Sequence, residues 1–139
     1  MTATTAPRIF RNTLEVADGA ATGEAYARLL GVPGRAVGGG RVYFDCGPVI
    51  LALLDVSAGP GRKAKPKPNP QDVYFAVDDV RAVHRRAKAL GWLADGEVHG
   101  EAGGEVVTRP WGEKSFYAVD PFGNRLCFVD GKALFTGRR

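Results

Sequence analysis

Apolar and polar residues alternate from residue 9 to residue 16, with Leu14 and Val16 on one face, which is the period of a half-buried strand. Asp18 follows in the position of a helix cap. Tyr26, Leu29 and Leu30 recur at helical spacing, and Gly31 stands where a helix stops. Arg41–Cys46 and Val49–Asp55 predict two strands joined by a tight turn at Gly47-Pro48, with a shorter strand at residues 35–37. The same order of signals then returns. Val73, Phe75 and Val77 mark one face of a strand, and Asp79 caps a helix whose apolar stripe is Val80, Val83, Ala87 and Leu90. Arg81, Arg85, Arg86 and Lys88 face water on that helix, and Gly91 ends it. Strands follow near residues 105–108, 114–119 and 125–129. Leu14 and Phe75 are 61 residues apart (14 to 75), and the stopping glycines are 60 apart (31 to 91). Each block therefore reads strand–helix–strand–strand–strand. The pattern predicts an α+β domain of two tandem modules, residues 1–56 and 71–139, joined by a linker at 57–70.

Composition narrows the class. The 139 residues, 45% of them hydrophobic, suit one folded domain of ordinary size. No stretch of about 18 apolar residues occurs, so no membrane-spanning helix is expected. The first residues lack the basic and then apolar regions of a secretory signal. Cys46 and Cys127 are too few for a disulfide framework, and the expected location is a reducing cytoplasm.

A net charge of +4 raises the question of nucleic acid, and its distribution answers it. Residues 1–56 carry five basic and five acidic side chains, and residues 71–139 carry ten of each. The whole excess is Arg62, Lys63, Lys65 and Lys67, in a linker with no acid and many prolines and glycines. Such a segment buries little and reads as an extended, solvated connector. Neither Arg41, Tyr43 and Arg125 nor the linker forms a nucleic-acid-binding module. Gly38-Gly39-Gly40 is followed by no Lys-Ser/Thr pair and reads as a hairpin loop.

Pro110-Trp111-Gly112, then Ser115-Phe116-Tyr117, then Asp120-Pro121-Phe122-Gly123-Asn124 resembles the signature of the vicinal oxygen chelate superfamily, which includes glyoxalase I, bleomycin-resistance proteins and extradiol dioxygenases. The resemblance spans residues 8–130 and implies paired βαβββ modules whose strands form a cupped mixed sheet around a central cavity, often shared between two chains. It also implies where a divalent metal would be held: His or Gln on the first and fifth strands, Glu on the fourth and eighth. The matching positions here are Arg11, Ala52 (to within one or two residues), Asp72 and Cys127.

Strand alternation places the same residues independently. If Leu14 and Val16 face the helix, then Arg11, Thr13 and Glu15 face the cup. Asp72, Tyr74 and Ala76 do so on the fifth strand, and Arg125, Cys127 and Val129 on the last. Arginine cannot shed its proton to bind a cation, and alanine has no lone pair. A hard-metal site is thus not expected, and His84 and His99, off the cup strands, are read as surface residues. Arg11 and Asp72 are expected to bridge at the cavity floor instead. Tyr74, Trp111 and either Tyr43 or Phe44 offer aromatic surface to a planar ligand, and Phe44 is carried among the candidates. Cys127 has no partner at a recognisable spacing and reads as an inert thiol.

The candidate binding residues are therefore Arg11, Phe44, Asp72, Tyr74, Trp111, Arg125 and Cys127, with no catalytic residue assigned and no cofactor expected. The expected function is metal-free binding of a small planar or polar metabolite, of a sequestering or resistance type, by a homodimer. The alternative is a lyase, isomerase or dioxygenase that uses a divalent metal or general acid–base groups such as Asp72 and Glu15.

Overall fold

The computed structural model describes residues 5–59 and 64–138. The first module runs β1 (Arg11–Val16), α1 (Gly19–Leu30), β2 (Arg35–Gly38), β3 (Arg41–Cys46) and β4 (Val49–Asp55). The second runs β5 (Val73–Val77), α2 (Val80–Leu90), β6 (Glu97–Val98), β7 (Glu101–Ala102), β8 (Val107–Thr108), β9 (Lys114–Val119) and β10 (Arg125–Asp130). The main sheets have equivalent strand orders, β1-β4-β3-β2 and β5-β10-β9-β8. In each, the first strand pairs in parallel with the last and the other pairs are antiparallel. The fold is α+β, with two tandem βαβββ modules.

The repeat arises from the alternation already described. Leu14, Val16, Leu51, Leu53 and Phe44 are at most 2% exposed and pack with Tyr26 and Leu29 of α1. Val80, Val83 and Ala87 of α2 pack with Phe116, Ala118, Leu126 and Phe128. The Phe75, Phe128 and Phe116 rings stack across three strands at centroid distances of 4.9 and 5.3 Å. The helices also touch each other, so one continuous core serves both modules. Each fully buried aromatic or Leu side chain contributes about 2–3 kcal/mol by transfer from water. The opposite face of each sheet is left as a half-cup.

Gly31 and Gly91 end the helices in left-handed conformations, φ 73° and 75°, as their positions predict. The helix starts differ from each other. Asp79 caps α2 by accepting from the Ala82 N–H at 3.0 Å. Asp18, its counterpart, is itself left-handed (φ 51°) and makes no capping bond. Asp55, at the end of β4, reaches across to accept from the Gly19 N–H at 2.8 Å. The sequence expectation for Asp18 is corrected accordingly: the side chain of Asp55, 36 residues beyond Gly19, supplies the cap.

The turn from Asp120 to Asn124 is a clamp between modules. Asp120 accepts from the Phe122 and Asn124 N–H groups (2.8 and 2.9 Å) and from the Tyr26 hydroxyl of the first module at 2.7 Å. Asn124, fully buried, donates to the Glu15 carbonyl of β1 and accepts from the Asn69 N–H, each at 2.9 Å. The Tyr26 and Trp92 rings meet edge to face at 5.0 Å beside it. Residues 64–70 have no regular secondary structure, yet Lys67 N–H donates to Glu15 Oε1 at 3.0 Å, so this part of the linker is tied to β1. Arg62 and Lys63 of the basic tract lie outside the described residues.

The β6–β7 hairpin was not anticipated. It turns at His99-Gly100, both with positive φ (51° and 79°), the geometry of a tight two-residue hairpin turn. His-Gly lacks the usual Asn or Asp that marks such a turn in sequence.

Candidate functional site

On the second sheet the cup face reads in rows across three strands. Tyr74, Cys127 and Tyr117 are direct neighbours in register, and Ala76, Val129 and Ser115 form the next row. Residues directly opposite share a face, so these rows make one floor. Cys127 and Tyr117 are 1% and 4% exposed, whereas Tyr74, on the edge strand β5, is 60% exposed. At the start of β5, Asp72 accepts from Arg125 Nε at 2.9 Å. The Arg125 guanidinium also lies 5.9 Å from the Tyr117 ring centre.

The floor is uncharged at neutral pH. Burial pushes the Cys127 thiol up to about 11, outweighing its hydrogen bonds with Ser115 and Tyr117. Burial, reinforced by Cys127 and Tyr74, raises the Tyr117 phenol well above its ordinary value. Tyr74 is raised too, by desolvation and by the negative charge of Asp72. A thiol held protonated in this way is a poor nucleophile.

Beside this floor a cavity of about 670 Å³ opens between Tyr74, Ala76, Val129, Trp111 and the C-terminal residues 134–136. Glu113 fixes its wall. One carboxylate oxygen accepts from the Trp111 indole N–H and the other from the Phe135 backbone N–H, both at 2.8 Å. His99 packs edge-on against Trp111 at 4.9 Å. The loop that presents Trp111 is braced from within by Arg109, which is 2% exposed. Arg109 Nε donates to Ser115 Oγ (3.1 Å), and Nη2 donates to the Ser115 and Glu105 carbonyls (3.0 and 3.3 Å). The Tyr117 ring centre lies 5.2 Å from its guanidinium carbon, and Nη1 has no hydrogen-bond partner among the described residues.

On the first sheet, Arg11, Thr13, Ala52 and Tyr43 share the cup face. Arg11 Nη1 approaches the Tyr43 hydroxyl at 3.4 Å and its guanidinium lies 5.1 Å from the Phe10 ring. The expected Arg11–Asp72 bridge does not form within the chain: Asp72 is held by Arg125, and Arg11 belongs to the other half-cup. Cα register explains the outcome, since the pairing of Leu126 with Val73 sets Arg125 opposite Asp72.

Phe44 is likewise corrected. It is fully buried on the core face, 6.3 Å from Tyr26, and Tyr43 takes the cup side. Nor is His84 a plain surface residue. Its ring is 5.0 Å from Phe116, edge-on, and Nε2 lies 2.9 Å from the Gly104 carbonyl, pinning the segment after α2.

The donor set does not fit a divalent metal. The four matching positions hold a guanidinium and a methyl, which cannot ligate, a carboxylate paired with Arg125 and a single thiol, fewer donors than such an ion takes. Among the described residues no three His, Cys, Asp or Glu side chains lie close enough to share an ion. Candidates missed by sequence reasoning are Glu113, Phe135, Leu134 and Arg109. A glutamate and a terminal tail carry no periodic signal, and an isolated arginine beside Pro110 reads as a solvated turn.

Solved structures share this architecture. The oxidase ChaP-H2 superposes with a TM-score of 0.70 at 20% identity, covering 91% of this chain and 94% of that one. A glyoxalase/bleomycin resistance protein from Albidiferax ferrireducens gives 0.68 at 19% identity, over 88% of this chain and 98% of the other. Lactoylglutathione lyase from Agrobacterium tumefaciens gives 0.59 at 24% identity, over 93% and 97%. At these identities the likeness shows the fold alone. No curated protein matches the sequence significantly. Residues 8–128 match the Glyoxalase/Bleomycin resistance protein/Dioxygenase superfamily, and with paired modules and the Asp120–Asn124 clamp in place, the chain belongs to that family.

Proposed function

We propose that this protein binds a small planar or polar metabolite in its half-cups without a metal, as a sequestering or resistance-type protein. The observation that carries the reading is the composition of the cup faces. The positions at which the resemblance would place metal ligands hold Arg11, Ala52, Asp72 and Cys127, while Tyr74, Trp111 and Phe135 surround an open cavity of about 670 Å³. Rigid aromatic walls give large contact area with little conformational entropy to lose. The floor also supports binding over nucleophilic catalysis, because Cys127 stays a thiol and Asp72 is neutralised by Arg125.

Two further elements belong to the proposal. The protein works as a homodimer, a reading supported by the open half-cups and by the edge positions of β1 and β5. Its place is the cytoplasm, which accords with two unpaired cysteines; no described helix is long and apolar enough to cross a membrane.

Metal titration tests the reading. Chelator-treated protein, titrated calorimetrically with nickel, zinc and ferrous iron, is expected to show no tight uptake. One equivalent bound per chain with micromolar or better affinity would overturn it in favour of the metalloenzyme alternative.

A further inference from the structure

The cavity beneath the C-terminal tail has a one-sided chemistry. Tyr74, Trp111 and Phe135 stand around it, and the only charged side chain lining it, among the described residues, is Glu113. Tyr74 and Phe135 are 60% and 61% exposed, so their surfaces are open to an entering molecule. The Glu113 carboxylate cannot be swung away without cost, because it holds the Trp111 indole N–H and the Phe135 N–H, each at 2.8 Å. Both donors are neutral, so the carboxylate keeps its net negative charge. Hydrogen bonding of the indole N–H to that anion polarises the ring and makes its face more negative. Aromatic faces already carry negative quadrupolar potential, and they attract cations over their centres.

No lysine or arginine lines this cavity among the described residues. The guanidinium exposed on the same cup face, Arg125, is committed to Asp72 at 2.9 Å. The cavity on the first half-cup, about 630 Å³, differs: among the described residues it is lined by Arg11 and Arg41 and by no carboxylate. The single negative charge of this cavity is thus invisible in the balanced charge of the module as a whole.

We propose that the second half-cup selects an organic cation: a compact or planar molecule bearing a quaternary or protonated nitrogen. The positive centre lies against the aromatic faces of Tyr74, Trp111 and Phe135, beside Glu113. This rests on the reading that the half-cup binds a small molecule, and adds the sign of the ligand's charge. An anionic ligand of the same shape meets the Glu113 carboxylate and is disfavoured.

The test holds the ring constant and changes its charge. N-methylquinolinium, quinoline at a mildly alkaline pH where it is uncharged, and quinoline-2-carboxylate are each titrated calorimetrically into the intact protein. The cation is expected to bind roughly ten-fold tighter than quinoline, the scale of a partly desolvated cation–π contact, and the carboxylate most weakly. Phe135→Leu, at an exposed position where folding is not at stake, and Glu113→Gln should each shrink the gap between cation and neutral ring. Equal affinities, or a tighter carboxylate, would overturn the cation proposal while leaving the binding reading intact. If none of the three rings binds, both fail. If the gap survives Phe135→Leu and Glu113→Gln unchanged, the selectivity lies elsewhere and the assignment to this cavity is wrong.

Discussion

Individual residues decide more here than their local sequence suggests. Asp55 is the clearest case. Burial raises its carboxyl pKa, but hydrogen bonds from the Ser57 hydroxyl and from the N–H groups of Gly19, Ser57 and Ala58 outweigh burial and hold it below the ordinary value. A depressed carboxylate adds stability above its unfolded pKa and loses it as pH falls through the folded one. Replacing Asp55 with Ala should therefore cost about 1–2 kcal/mol in urea denaturation at neutral pH, whereas Asp18→Gly, at a left-handed site with no capping bond, should cost little or nothing. Equal losses would contradict the capping assignment. Cys127 gives the opposite sign. Its folded pKa of about 11 lies above the ordinary 9.0, so the folded state holds a proton that the unfolded chain releases. That contribution is complete below about pH 9 and is lost as pH rises through about 11. Melting temperatures over this window should fall more steeply for the native protein than for Cys127→Ala; parallel slopes would show the thiol is not the group titrating.

At the level of elements, the doubled βαβββ order was legible because both modules repeat the same two periodicities, two along strands and 3.6 along helices. Alternation also separated cup from core: Leu14 and Val16 went inward, while Arg11 and Tyr74 went to the cup. It failed at Phe44, because the adjacent Tyr43 on β3 is also aromatic and the period could be started on either. It could not pair Asp72 with Arg125, since that contact depends on the register between strands 53 residues apart in sequence. Glu113 and Phe135 were missed because their link joins a loop to a tail, and neither has a period. The Asp120–Asn124 turn carried the family resemblance, yet its visible work is to lock β10 against the first module. Tyr26→Phe removes only the hydroxyl donated to Asp120 and should cost about 1–3 kcal/mol, because the buried carboxylate loses a partner. Asn124→Ala should cost more, since it strips hydrogen bonds to Glu15, Asn69 and Asp120 together. A change below about 0.5 kcal/mol for either in chemical denaturation would show the clamp to be dispensable.

For the whole molecule, two half-cups with differently lined cavities sit on one shared core. Arg11, Arg41 and Tyr43 mark the first; Tyr74, Trp111, Phe135 and Glu113 mark the second. A homodimer would bring open faces together, and light scattering during gel filtration should give twice 14.8 kDa; a monomer mass would confine each half-cup to a single chain. In the proposed function, the aromatic half-cup binds a ligand with no metal present. The most direct measurement is the melting temperature of protein kept in chelator, with and without planar quinoline, flavonoid and indole probes. A ligand at about 100 times its Kd stabilises the folded state by roughly 2.7 kcal/mol, so a bound probe should raise the melting temperature by several degrees. Tyr74→Ala should abolish that rise. A shift that appears only after nickel, zinc or ferrous iron is restored would contradict the account, and so would a shift that Tyr74→Ala leaves untouched.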